Sequence, residues 1–138
     1  MKLIRRVFPL CLLVLSFSFV NSNVFGQYKI VQDKELEKLI YQNNQSGQSK
    51  NHGLYTLLIF SVKNNEVLHE KFNDLRFSLT SISKIESMEL NKLEGKLEVV
   101  IDRELYSTVD FIKIFKNVVS DSEIKFIKYD EKILTREN

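Results

Sequence analysis

The chain has few of the residues that staple or interrupt small folds. Of its 138 residues, one is cysteine, one is proline and four are glycine. Cys11 and Pro9 both lie in an apolar run of fourteen residues, Val7 to Val20, preceded by the basic residues Lys2, Arg5 and Arg6. Such a run is shorter than the about 20 residues needed to cross a bilayer and has the form of a secretory h-region. Val24 and Gly26 stand at the −3 and −1 positions of a cleavage site before Gln27, with Val20 and Ser22 as a second option. Residues 1–26 are therefore read as a signal peptide, which sends the remainder to the periplasm or outside the cell. Cys11 follows Phe8-Pro9-Leu10 and lacks the small-residue context of a lipid-modified cysteine.

Removing that segment has consequences. The remaining 112 residues contain no thiol, which excludes disulfides, thiolate metal sites and cysteine nucleophiles together. They contain no X-Pro bond to slow folding. Their charge is 17 basic against 18 acidic residues, a net −1 where the whole chain is +2. No strong positive field favours nucleic acid. The only glycines left are Gly47, Gly53 and Gly95, and neither a Gly-x-Gly-x-x-Gly loop, a P-loop nor a Gly-x-Ser-x-Gly elbow occurs. No cofactor is expected, and no membrane span in the processed chain.

What is present is a regular alternation of strand and helix patterns. "DKELEKLIYQ", Asp33 to Gln42, reads as a short helix capped by Asp33, with Leu36, Leu39 and Ile40 on one face. "NNQSGQSKNHG", Asn43 to Gly53, carries no large apolar residue and reads as a mobile polar linker. "LYTLLIFSV", Leu54 to Val62, is apolar on both alternating sets, as a central strand is. "NEVLHEKFNDLRFSL" predicts a helix with Leu68, Phe72, Leu75 and Leu79 in line, capped by Asn64 or Asn65. "ISKIESMEL", Ile82 to Leu90, alternates imperfectly, which suits an edge or bulged strand. Asn91 to Gly95 is a turn before "KLEVVID". Ser107 and Asp110 form a capping box for a helix with Phe111, Ile114, Phe115 and Val118 on its apolar stripe. "EIKFIKY", Glu123 to Tyr129, reads as the last strand.

The order from residue 54 to 134 is β-α-β-β-α-β, the ferredoxin-like arrangement within the α+β class. It predicts a four-stranded antiparallel sheet with both helices on one face, preceded by the N-terminal helix and linker of residues 27–53 and followed by a tail of residues 135–138. The second sheet face would then carry Tyr55, Leu57, Ile59, Val100, Ile127 and Tyr129. A contiguous apolar patch of that kind marks a partner surface, unless the Leu36, Leu39 and Ile40 stripe folds over it. Both hold if the helix is a displaceable cover.

Titratable groups give weaker candidates. Glu66 and His69 have the i, i+3 spacing of some carboxylate metal sites, although they lie beside the polar face of their helix. His52 sits in the linker. Asp102, Arg103 and Glu104 gather charge at a strand end and read as turn residues with a surface ion pair.

From Leu54 to about Ile133 the chain resembles heavy-metal-associated domains. The resemblance is carried by "SISKIESMELNKLEGKLEVVIDRELYSTVDFIKIFKNV" and its rhythm of strand, glycine turn, strand, aspartate and capped helix. In that family a Met-x-Cys-x-x-Cys motif follows the first strand. Here the place reads Val62-Lys63-Asn64-Asn65-Glu66-Val67, so no metal ligand carries over. The segment "IVQDKELEKLI…GLYTLLIFS" is similar to the lead-in helix and first strand of exported bacterial SPOR domains, which bind peptidoglycan glycan on their sheet. Their third-strand pattern of a basic residue, valine, glycine and an aromatic is absent from "LEVVIDREL". The resemblances imply binding rather than catalysis: a protein-interaction scaffold without a thiolate site, or a glycan-binding domain of the cell envelope. Apart from the resemblances, His52, His69 and carboxylates leave metal handling as a third reading. The oligomeric state is left open.

Overall fold

The computed structural model describes residues 27–137; the expected leader lies outside them. The elements are β1 (Tyr28–Ile30), α1 (Asp33–Gln45), β2 (Leu54–Val62), α2 (Asn65–Ile82), β3 (Ser87–Asn91), β4 (Lys96–Asp102), α3 (Thr108–Ser120) and β5 (Phe126–Arg136). The architecture is α+β. All five strands form one antiparallel sheet in the order β1-β5-β2-β4-β3. None of the described helices is long and apolar enough to cross a membrane.

The central strand is the one whose sequence is apolar on both alternating sets. Leu58, Phe60 and Val62 point toward α2 and α3, where they join Leu97, Val99 and Ile101 of β4 in the larger core. Helix α2 contributes Leu68, Leu75 and Leu79, and α3 contributes Phe111, Ile112, Phe115 and Val119. Phe60 and Phe115 stack with ring centres 3.9 Å apart, and Phe126 meets them edge-on at 5.8 and 5.9 Å. Aromatic pairs of this kind add about 0.5–1.5 kcal/mol beyond the area they bury.

Both core helices start where the sequence places a cap. The Asn64 side chain accepts from the Val67 N–H at 3.4 Å, and Ser107 Oγ accepts from the Asp110 N–H at 3.1 Å. Helix α1 starts differently: Gln32 is its N-cap and makes no side-chain capping bond, so Asp33 stands inside the first turn. There its charge favours the helix dipole instead. Helix α2 continues to Ile82, closed by Ser83, whose Oγ donates to the Leu79 carbonyl at 2.6 Å. Strand β3 is thereby shorter than its sequence pattern and does lie at the sheet edge. On α3 the buried stripe is Phe111, Ile112, Phe115 and Val119, with Ile114 and Val118 only partly buried.

Two departures reshape the sheet. It has five strands and not four, because Tyr28, Lys29 and Ile30 pair with Arg136, Thr135 and Leu134. Strand β5 also runs eleven residues, through Arg136, so the stretch expected to trail off is structured. Of the segment expected as a mobile linker, Asn43 to Gln45 complete α1, and the remainder to Gly53 is a loop tied by hydrogen bonds. Asn43 Nδ2 donates to the carbonyls of Lys50 and His52 at 3.2 and 3.0 Å, and Gly47 and Gly53 both adopt φ +73°.

The β3–β4 turn depends on Gly95, at φ +65°. Its N–H donates to the Asn91 carbonyl at 2.8 Å, and an added Cβ would collide with the Asn65 amide at the start of α2. Gly95→Ala should therefore lower stability by at least about 1–2 kcal/mol, the cost of a left-handed backbone for a residue with a Cβ. Chemical denaturation of the two proteins measures it, and an unchanged midpoint would contradict this role.

Candidate functional site

Strand alternation puts every second residue of the sheet on the side away from α2 and α3. The registers align these residues in rows across the strands. One row is Ile30, Leu134, Tyr55 and Asp102; the next is Lys132, Leu57, Val100 and Ser87. A third is Asp130, Ile59, Glu98 and Glu89, and a fourth Lys128, Ser61, Lys96 and Asn91. The face is thus apolar at one end, acidic further along and basic at the other end.

The apolar end is a second packed set, in which Tyr28, Leu57, Val100 and Leu134 are buried and Ile30, Tyr55 and Ile59 partly so. Tyr28 and Tyr55 meet at 5.3 Å with their rings at 66°. The Arg136 guanidinium lies over both rings, 5.0 Å from Tyr55 and 5.8 Å from Tyr28, and pairs with Glu86 at 3.2 Å. This cluster links β1, β5, β2 and the lead-in to β3. Burial pushes the Tyr55 phenol up from its usual range; Arg136 opposes that, and Asp102 and Glu86 add to it.

The six residues predicted for this face divide. Tyr55 and Ile59 are on it and half-exposed, whereas Leu57 and Val100 are on it but fully buried. Tyr129 is on the other side: it pairs with Phe60 and packs near the rings of Phe60 and Phe126. Ile127 is the extra residue at a bulge between the pairs Ser61–Lys128 and Val62–Phe126, and is 58% exposed. The bulge is the physical reason for the misplacement. Beyond it the even-numbered residues of β5 face the open side, including Asp130, Lys132 and Leu134.

The expected cover is also different. Leu36, Leu39 and Ile40 are half-buried, but none belongs to the packed set on this face. Its apolar strip is completed by Tyr28 and Ile30 of β1 and by Leu134 of β5. Sequence reasoning missed all three, together with Arg136. The available signal was the short alternation in "YKIV" and the continuation "KILTR" after Tyr129.

Glu98 is the polar exception on this face. Only 9% exposed, it lies directly across from Ile59 on one side and Glu89 on the other. Its pKa is pushed up, first by burial and then by Glu89 and Glu94, with Lys132 pulling the other way.

The remaining candidates lie elsewhere. His52 Nδ1 is 3.0 Å from Glu104 Oε1, a partner that sequence reasoning did not find. Arg103 donates from Nη1 to Thr56 Oγ1 at 3.2 Å and from Nε to Asn51 Oδ1 at 3.4 Å, while Glu104 N–H donates to Asp102 Oδ1 at 2.8 Å. The three are turn residues, as expected, but no ion pair joins them: Arg103 bonds neutral side chains and the Glu104 carboxylate meets His52. Glu66 and His69 share one side of α2, and among the described residues no set of three or more His, Cys, Asp or Glu is arranged to hold a metal ion. At the β2–α2 junction Lys63 N–H bonds the Lys125 carbonyl at 2.8 Å, Asn64 caps α2 and Asn65 closes against Gly95. Comparison of the chain with protein-family models, curated proteins and solved structures finds no match.

Glu98 yields a pH dependence. A carboxyl whose pKa is higher folded than unfolded binds more protons in the folded state, so its contribution weakens stability as pH rises from the ordinary carboxylate range through the raised value. Glu98→Gln should therefore raise the melting temperature at pH 7, on the order of the 0.2–1 kcal/mol that a cross-strand charge contact is worth. The gain should shrink toward pH 4. Thermal melts across that range measure it; a variant less stable than wild type at pH 7 would contradict the assignment.

Proposed function

We propose that the chain is an exported, non-catalytic binding module of ferredoxin-like type with an added edge strand, which engages its partner across the sheet face away from α2 and α3. The observation that carries this reading is the strip on that face: half-exposed Tyr55 and Ile59 over buried Leu57 and Val100, with Arg136 and Lys132 at its margin. The strand order β5-β2-β4-β3 and the two helices on one side support the ferredoxin-like assignment. The capped, sulfur-free β2–α2 junction agrees with a heavy-metal-associated scaffold that works without its thiolate site. Export rests on the sequence of residues 1–26. The partner is a protein, which meets Ile59 and the charged rows beside it.

A second reading, binding of envelope glycan in the SPOR manner, draws on one observation. Arg136 and Tyr55 form a stacked pair at the margin of the sheet, with Arg136 half-exposed. Stacked rings and guanidinium groups suit the flat faces of sugars.

The test uses the chain as the cell processes it, mixed with purified cell-wall sacculi and, separately, cross-linked in intact cells. The protein reading expects no pelleting with sacculi and a cross-linked species that Ile59→Asp reduces about tenfold, since a buried carboxylate at a contact costs 1.4 kcal/mol or more. Pelleting that Tyr55→Ala releases would select the glycan reading. Neither pelleting nor an Ile59-dependent species would sink both.

A further inference from the structure

Strand β5 is paired along its inner side by β2 but only partly along its outer side. Strand β1 covers Leu134 to Arg136, and the last bond of that ladder runs from Val31 N–H to the Ile133 carbonyl at 2.8 Å. Among the described residues, no strand or backbone group meets the outer edge from Ile127 to Lys132, and all six of these residues are exposed. The direction of its hydrogen-bonding groups follows from the covered part. Ile133 accepts from β1, and Glu137 N–H donates to the Gln27 carbonyl at 2.9 Å, so odd-numbered residues of β5 turn their backbone groups outward. By the same alternation Tyr129 and Glu131 present N–H and C=O groups to solvent.

An edge of this kind pairs with another strand unless its side chains forbid it. The side chains here forbid most registers and favour one. We propose that β5 pairs antiparallel with β5 of a second copy of this chain, about a two-fold axis through Tyr129, joining two sheets into one of ten strands.

In that register each Tyr129 meets Tyr129 of the partner copy as a hydrogen-bonded pair. Lys128 then lies directly across from Asp130 of the partner copy, and symmetry supplies the contact twice. Lys128 and Asp130 share the open face, since they pair with Ser61 and Ile59, so the opposed charges meet on one side of the joined sheet. Moving the axis one residue either way sets Asp130 against Asp130 or Lys128 against Lys128. Moving it to Glu131 opposes two carboxylates and requires Ile133, whose outward carbonyl β1 already occupies. The bulge at Ile127 limits the ladder at the other end. The proposal concerns the edge of the sheet and stands apart from what its face binds.

Sedimentation equilibrium of the chain as the cell processes it tests the proposal. Wild type should show a monomer–dimer equilibrium. Asp130→Lys, which places two like-charge contacts in the ladder, should raise the dimer dissociation constant at least about tenfold. Adding Lys128→Asp to that variant should restore wild-type association, because the charges are then exchanged and not lost. Circular dichroism confirms that the exposed substitutions leave the fold intact. A wild-type monomer at high micromolar concentration overturns the proposal. So does a dimer indifferent to Asp130→Lys, or one that the double exchange fails to restore. A wild-type monomer that instead acquires a stoichiometric foreign protein sensitive to Asp130→Lys assigns the edge to a different strand donor and likewise overturns self-pairing.

Discussion

The pairing of β2 on both of its sides is the constraint on which the rest of the structure depends. Seven of its nine residues pair with β4 and all nine face β5, more paired positions than any other described strand makes. Its even-numbered residues supply the core beneath α2 and α3, and its odd-numbered residues supply the strip on the opposite face. Both packed sets therefore share one backbone. A shift of register by one residue would exchange the two sets and put Phe60 where Ile59 now meets solvent. Thr56 is the one polar side chain turned inward on this strand, and Arg103 satisfies its hydroxyl, since a buried hydroxyl without a partner costs about 1–3 kcal/mol. The same Arg103 reaches Asn51, so the strand's polar exception also anchors the loop before it.

The face away from the core helices is closed by strands and not by a helix. Tyr28 and Arg136, from the two ends of the described chain, come together over Tyr55, and Glu86 holds the guanidinium from the β3 side. This arrangement buries Leu57 and Val100 while leaving Tyr55 and Ile59 accessible at the margin. It also explains the tension at Glu98. A carboxylate on a strand packed between neighbours loses hydration, and Glu89 directly opposite adds repulsion that Lys132 only partly offsets.

Much of the fold was legible because its strongest patterns are long. The mostly apolar nine-residue run of β2, the leucine line of α2 and the Asn64 and Ser107 caps announce themselves through periodicity and local hydrogen bonding, which need no tertiary context. The missed features are those that only tertiary context stabilises. Tyr28, Lys29 and Ile30 are too few to show a period, and they become a strand because the outer edge of β5 is there to pair with. The bulge at Ile127 leaves no composition signal, yet it decides which side Tyr129 and Asp130 occupy. Leu134 and Arg136 were read as the end of the domain and its tail because β5 crosses a charged stretch, Asp130-Glu131-Lys132, before turning apolar again. Of the candidate face, Tyr55 and Ile59 were legible, whereas the aromatic and guanidinium cluster beside them was not, since its members come from positions 28, 55, 86 and 136.

Amide hydrogen exchange of the folded chain tests most directly whether β2 organises both packed sets. The amides of Leu57 to Phe60 should be among the last to exchange, released only by global unfolding and together with those of Val99 to Ile101 in β4, while β1 and α1 open earlier. Loss of protection in β2 while α2 and α3 remain protected would show that the helical layer stands without it, and would contradict the account.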